Sequence, residues 1–331
     1  MTVPGAPPRV SVIVRTKDRP GLLAEALASL RAQSFPDFET LLVNSGGAIP
    51  QSLLEPAPGR ALRLVVPQPP AGRARSLNAG LGAARGLYVA YLDDDDLYRP
   101  AHLERLVAAL DTDETCGAAF TSVDQVAQRR GPDGLYRDGE VLFTYGRPFD
   151  ANRIIYKNEV PLIALMHRRD LVEKSGPFDE AFDLYEDWDF LIRLSAVTRL
   201  RFVPETTAVY RLRDDGTNAT MAAPWGGPES EAARKALFSK HAERRTPAAA
   251  MALVNGFDND VKDLRSRLAK LEGDLTEVRA EAARQLAAAA GREAELASER
   301  DALALDLEAI HRSRWWRVAT RWWQLKALLS R

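Results

Sequence analysis

The first 110 residues alternate short apolar, β-branched runs with amphipathic stretches, and each apolar run is closed by a polar turn. Residues 10–14, 38–43, 62–66 and 87–92 read as strands. Residues 22–30 and 72–85 read as helices, followed by residues 100–110, where Pro100 occupies the favoured first turn. This alternation predicts an α/β fold built on a mostly parallel sheet with flanking helices. In such sheets ligands bind beyond the carboxyl ends of the strands. The turn after Arg15, the turn from Asn44 to Gly47 and the run Asp93-Asp94-Asp95-Asp96 all fall at that edge. Residues from about 112 to 245 mix glycine, proline and aromatic residues, and are expected to form irregular loops and short strands around an acceptor cleft.

At 331 residues the chain has room for about two domains. Lysine and arginine total 45 against 46 acidic residues, so nucleic acid is not an expected partner. The single cysteine, Cys116, allows no internal disulfide, and the four histidines show no zinc-ligand spacing. The N-terminus has no signal-peptide pattern, and no apolar run nears the roughly 20 residues that span a bilayer. A cytoplasmic location is expected.

Four consecutive carboxylates at the end of an apolar strand repel one another, and need positive charge nearby to stay ionised. Hard oxygen ligands select Mg²⁺ or Mn²⁺, ions commonly shared between carboxylates and substrate phosphates. Such an ion would stabilise charge on a diphosphate leaving group. The competing explanation is a solvated acidic loop, with Asp96 capping the helix at Pro100.

Residues 10–20, 34–39, 72–80 and 91–100, with the later segments 176–180, 185–190 and 209–211, closely resemble the inverting family 2 glycosyltransferases in order and spacing. The resemblance spans roughly residues 9 to 215 and implies a GT-A fold, a nucleotide-sugar donor and single-displacement transfer with inversion. By the same resemblance, Thr16 and Asp18 lie against the nucleoside, while Arg73 and Asn78 hold the donor. Asp93 and Asp95 match the Asp-x-Asp motif. Asp95 is then the first metal ligand, with Asp93 or Asp94 nearer the ribose and sugar. Asp187 matches the catalytic base, with Glu186 beside it; the base is needed because an attacking hydroxyl must lose its proton. Arg211 falls in the donor-side Tyr-Arg pair. Two departures stand out. Asn44 and Ser45 replace an acidic pair that contacts the nucleotide base, and Arg213 replaces a histidine, giving a residue suited to gripping a diphosphate rather than a metal. Simpler roles compete: Asp18 as a turn former, Arg73 solvating a helix start, the Glu186–Asp189 acids stabilising a helix N-terminus, and Trp188 as core.

The expected division is a catalytic domain over 1–245, a hinge over 246–257, a coiled-coil helix over 258–311 and a tail over 312–331. Val261, Leu268, Leu275, Ala282, Ala289, Leu296, Leu303 and Ile310 recur every seventh residue. The companion series Leu264, Leu271 and Val278 turns polar at Gln285, Arg292 and Glu299. The first heptads therefore predict a coiled-coil seam and a homo-oligomer. In the tail, Trp315, Val318, Trp322, Leu325 and Leu329 share one helical side, with Arg314, Arg317 and Arg321 opposite and Lys326 near the apolar edge. That is the pattern of an interfacial helix on an anionic membrane. The tail also resembles, over a short stretch, those of bacterial surface-polysaccharide glycosyltransferases. The expected function is transfer to a glycan or lipid-linked acceptor, from a peripheral position on the inner membrane face. The rivals are a non-catalytic coiled-coil scaffold and a sugar nucleotidyltransferase, and the latter is disfavoured because no glycine-rich loop follows the first strand.

Overall fold

A computed structural model describes residues 7–56, 60–68, 72–215, 217–218, 226–313 and 316–322. Its first compact unit covers residues 1–256 and its second residues 257–331.

The first unit is organised by strand β1 (Val10–Thr16), whose positions are buried except for Arg15, which is half-buried. A strand covered on both faces needs such a continuous apolar run. It pairs in parallel with β2 (Phe38–Asn44) on one side and β4 (Tyr88–Asp93) on the other, and β3 (Ala61–Val65) extends the sheet beyond β2. Helix α1 (Pro20–Arg31) starts with proline and buries Leu22, Leu23, Ala26, Leu27 and Leu30. Helix α2 (Arg73–Ala83) leads into β4, and the two-residue strand β5 (Leu97–Tyr98) precedes α3 (His102–Thr112). Apart from β5, for which no strand was expected, these elements match the expected ones within two residues. A buried carboxylate, Glu39 on β2, ties them together. It accepts hydrogen bonds from Ser11 Oγ (2.7 Å), Arg63 Nε (2.9 Å) and the Arg85 backbone N–H (2.9 Å).

Beyond β4 the structure departs from the expected short, irregular strands. Strands β6 (Cys116–Arg130) and β9 (Arg199–Arg213) are each 15 residues long, and β7 (Tyr136–Tyr145) pairs with β6 as a hairpin. The register explains why they read as fragments. Between β6 and β9 it jumps from Thr121↔Val203 to Ser122↔Thr206, so Pro204 and Glu205 bulge out and break the alternation. Strand β8 (Leu165–Arg168) runs antiparallel between β4 and β6, giving the order β3-β2-β1-β4-β8-β6-β9-β5. Helices α4 (Leu171–Ser175), α5 (Glu186–Val197) and α6 (Pro228–Lys240) follow or flank these strands in sequence. Asp189, fully buried on α5, joins it to α6 through His241 Nε2 (2.8 Å) and Lys240 Nζ (2.7 Å).

Helix α7 (Pro247–Arg312) is continuous for 66 residues, and the segment 247–256 within it belongs to the first unit, where Ala249 is buried. In the second unit the apolar side chains of α7 are exposed. No described helix is long and apolar enough to cross a membrane. Residues 316–322 of the tail are helical, with Trp316, Val318 and Trp322 exposed. Arg314, Trp315, Trp323, Leu325, Lys326 and Leu329 lie outside the described residues.

Two glycines test how tightly β1 and β4 are joined. A Cβ on Gly86 would meet the Ser11 backbone nitrogen at 2.6 Å, whereas one on Gly82, in α2, meets nothing within 4 Å. Gly86→Ala is expected to destabilise the fold by about 1–3 kcal/mol. Gly82→Ala should stabilise it by about 0.5–1 kcal/mol. Urea unfolding of the two variants measures both signs.

Candidate active site

The carboxyl ends of β1 and β4 lie side by side, with Arg15 in register with Asp93. The Arg15 guanidinium grips Asp93 with two parallel bonds, Nε to Oδ1 at 2.8 Å and Nη2 to Oδ2 at 2.7 Å. Its third nitrogen, Nη1, reaches Glu186 Oε1 at 3.2 Å, and Arg73 Nε donates to the same oxygen at 2.8 Å. Glu186 opens α5 and is 2% exposed. One arginine thus connects the first acid of the aspartate run to the first acid of α5. Burial works against charge at Asp93, but Arg15 outweighs it and holds this carboxyl below its ordinary value.

The next three aspartates have different partners. Asp94 is fully buried and accepts from Thr16 Oγ1 at 2.7 Å, with Arg19 Nη2 at 2.5 Å from its other oxygen. Burial, then the neighbouring Asp95, push it up to about 6 against the pull of Arg19. Asp95 Oδ2 accepts from Arg213 Nη2 at 2.8 Å and Arg19 Nη1 at 3.1 Å. Asp96 accepts the backbone N–H of Arg211 at 2.9 Å, and burial with Asp95 and Asp93 raises it well above the carboxylate range. Asp96 therefore anchors β9 and does not cap α3, whose N-cap is Ala101. The positive charge that the aspartate run requires is supplied within the chain by Arg15, Arg19 and Arg213. One oxygen from each of Asp93, Asp95 and Asp96 also lies within 4.8 Å of the others, a hard-oxygen set that fits Mg²⁺ or Mn²⁺.

The proposed base, Asp187, is half-buried beside Glu186. Its Oδ1 accepts the Trp188 N–H at 2.8 Å and its Oδ2 the Asn158 amide at 3.2 Å. Burial and then the Glu186 charge push it up to about 6, against Arg73. The residue before the pair, Tyr185, has φ 66°, an uncommon left-handed conformation for a non-glycine residue at a helix start. Trp188 is 1% exposed and donates to the Ile154 carbonyl, so it is core.

Other expected donor residues are engaged locally. Asn44 accepts the Gly46 N–H at 3.1 Å and donates to the Gly47 carbonyl at 2.8 Å, closing its own turn. Asn78 donates to the Phe178 carbonyl and accepts the Phe178 N–H, both at 2.9 Å, pinning the loop before α5 to α2. Asp18 is exposed on the same edge with φ 55°, over Gly47, where a Cβ would collide with its carboxylate. The Arg211 guanidinium turns to Glu25 (2.6 Å) and Asp138 (3.1 Å), so only its backbone meets the aspartate run. Arg213 is fully buried, and its Nη1 has no hydrogen-bond partner among the described residues.

The model for glycosyl transferase family 2 matches residues 11–171, just under half of the chain and all of the sheet through β8. The chain carries a family 2 glycosyltransferase domain. It is 27% identical over 212 residues to the uncharacterized glycosyltransferase YwdF of Bacillus subtilis, covering 63% of this chain and 76% of that protein. It is 28% identical over 193 residues to a PGL/p-HBAD biosynthesis glycosyltransferase of Mycobacterium tuberculosis, covering 57% of this chain and 70% of the other. Among solved structures, S. aureus TarS 1–349 in complex with UDP-GlcNAc superposes with a TM-score of 0.52 at 19% identity, over 66% of this chain and 61% of that one. That likeness supports the GT-A fold of the domain.

Arg15, Arg19 and Asn158, which sequence reasoning passed over, contact the candidate residues Asp93, Asp95 and Asp187. For Arg15 a signal existed: it lies at the carboxyl end of the strand that neighbours the aspartate strand, one residue before Thr16, so a parallel register places it opposite Asp93. Arg19, four residues on in the same turn, follows from that placement. Asn158 lies in a loop 29 residues before Asp187, and nothing local marks it.

Proposed function

We propose that this glycosyltransferase moves a sugar from a nucleotide-sugar donor to an acceptor hydroxyl, with inversion and with a divalent metal. The observation that carries this reading is the Arg15 bridge, which brings the aspartate edge and the Glu186–Asp187 pair into one site. The donor diphosphate would lie at the aspartate edge, with Thr16, Asp18, Asn44, Arg73 and Arg213 around it. Asp95, with Asp93 and Asp96, would hold Mg²⁺ or Mn²⁺ there. When bound, the ion would supply positive charge for the departing diphosphate. Asp187 accepts the proton of the attacking hydroxyl while the hydroxyl oxygen bonds the anomeric carbon and the bond to the diphosphate breaks. A carboxyl raised to about 6 is a stronger base than an ordinary one and is still ionised at neutral pH.

The acceptor in this reading is a glycan or lipid-linked glycan of a bacterial surface polysaccharide. Exposed Trp316 and Trp322, beside Arg317 and Arg321, support reversible attachment of the tail to an anionic inner membrane face.

Asp187→Asn should keep donor affinity while turnover falls about 10²-fold or more. In the unmodified enzyme the base is lost as pH falls through about 6, so kcat should decline there rather than near pH 4. A collapse of donor binding in Asp187→Asn, or a flat profile down to pH 5, would refute the assignment.

EDTA should abolish donor turnover and Mn²⁺ restore it, and Asp95→Ala should be inactive but folded. Full turnover after exhaustive chelation would remove the metal from the mechanism.

A further inference from the structure

The exposed part of α7 carries a second pattern that the catalytic reading does not use. Val261, Leu264, Leu268, Leu271, Leu275 and Val278 form one stripe, at positions a and d of successive heptads, and each is between 43% and 65% exposed. A helix so apolar along one side requires a partner. The flanking positions say which. With Val261 at a, Asp260, Arg267 and Asp274 stand at g, and Arg265, Glu272 and Arg279 stand at e. In a parallel, in-register pair each g faces the e′ five residues further on. The contacts are then Asp260–Arg265′, Arg267–Glu272′ and Asp274–Arg279′, opposite in sign at every step. An antiparallel pair sets g against g. Centred on residues 260–279, it would set Arg267 on Asp274′ but Asp260 on Glu281′, two acids, so only the parallel register is opposite in sign at every step.

We infer that residues 260 to about 282 form a parallel, in-register coiled coil with a second copy of this chain. The pattern also says where pairing weakens. After Ala282 the apolar series slips by four residues, to Leu286, Ala289, Leu296, Leu303, Leu307 and Ile310. An insertion of four is a stutter, which locally unwinds the supercoil. Beyond it, the intervening seam positions are Glu293 and Arg300, each of which would meet its own copy. The paired segment therefore rises about 35 Å, at 1.5 Å per residue, before the repulsive positions begin.

Two sets of full-length variants test this. Val261→Cys and Leu275→Cys, each made singly, should both form disulfide-linked pairs on mild oxidation. The native Cys116 is buried and should not compete. Antiparallel helices can bring at most one of these positions against itself, so cross-linking at one site only, or at neither, overturns the proposal. The second set makes the flanks single-signed. One variant combines Asp260→Lys, Glu272→Lys and Asp274→Lys; the other combines Arg265→Glu, Arg267→Glu and Arg279→Glu. By light scattering the unmodified chain should have twice its 36.5 kDa mass. Each variant alone should have that of one chain, and an equimolar mixture should recover the doubled mass. A monomeric unmodified chain, a mass other than double, variants that still self-associate, or a mixture that stays monomeric would each contradict the pairing.

Discussion

Arg15 carries more of this site than any other side chain. It is the penultimate residue of the strand at the heart of the parallel sheet, and its three nitrogens are shared between two carboxylates 93 residues apart in the chain, Asp93 and Glu186. Burying either carboxylate without a cation would cost several kcal/mol, and burying both near one another would add their repulsion. A bidentate guanidinium offsets both penalties, and its flat fork fixes where the two acids sit. Arg73 adds a second donor to Glu186, so α2 is drawn to the same point. Helix α5 and the aspartate edge are thereby held together by charge, where the sheet alone would leave them unconnected.

That arrangement gives neighbouring carboxyls different chemistry. Asp93, against Arg15, is held ionised; Asp94, fully buried, is pushed to about 6; Asp96 is raised further. Second along α5, Asp187 is pushed up to about 6 by burial and then by Glu186, while Asp189 is lowered to about 2, despite burial, by bonds to His241, Lys240 and Arg193. One short helix turn thus contains an acid bridge, a carboxyl raised towards neutrality and a structural anchor. The residue type is nearly the same at each; the partners decide the role.

Much of this was legible in the sequence. Apolar runs and their closing turns placed β1 to β4 and the aspartate edge, because parallel buried strands write themselves as continuous hydrophobic segments. The long strands β6 and β9 were not legible, since a bulge at Pro204 and Glu205 hides a single strand as two fragments. The motif itself brought Asp95 and Asp187 to notice, and the fold sets them on the aspartate edge and beside Glu186. Asn78 shows the limit: its amide closes on Phe178, a contact across 100 residues that no local pattern reveals. Arg213 sits where a grip on diphosphate was expected, but its first partner is Asp95. The resulting charge balance among arginines and aspartates is a property of the fold rather than of any segment.

The central claim is that Asp93 and Glu186 are coupled through one guanidinium. A double-mutant cycle measures this directly, using urea unfolding of Asp93→Asn, Glu186→Gln and the double variant. If Arg15 joins the two acids, the losses should fail to add, with an interaction energy of about 0.5–3 kcal/mol. Additivity within about 0.3 kcal/mol would mean that the two halves of the site are independent, and would contradict the account.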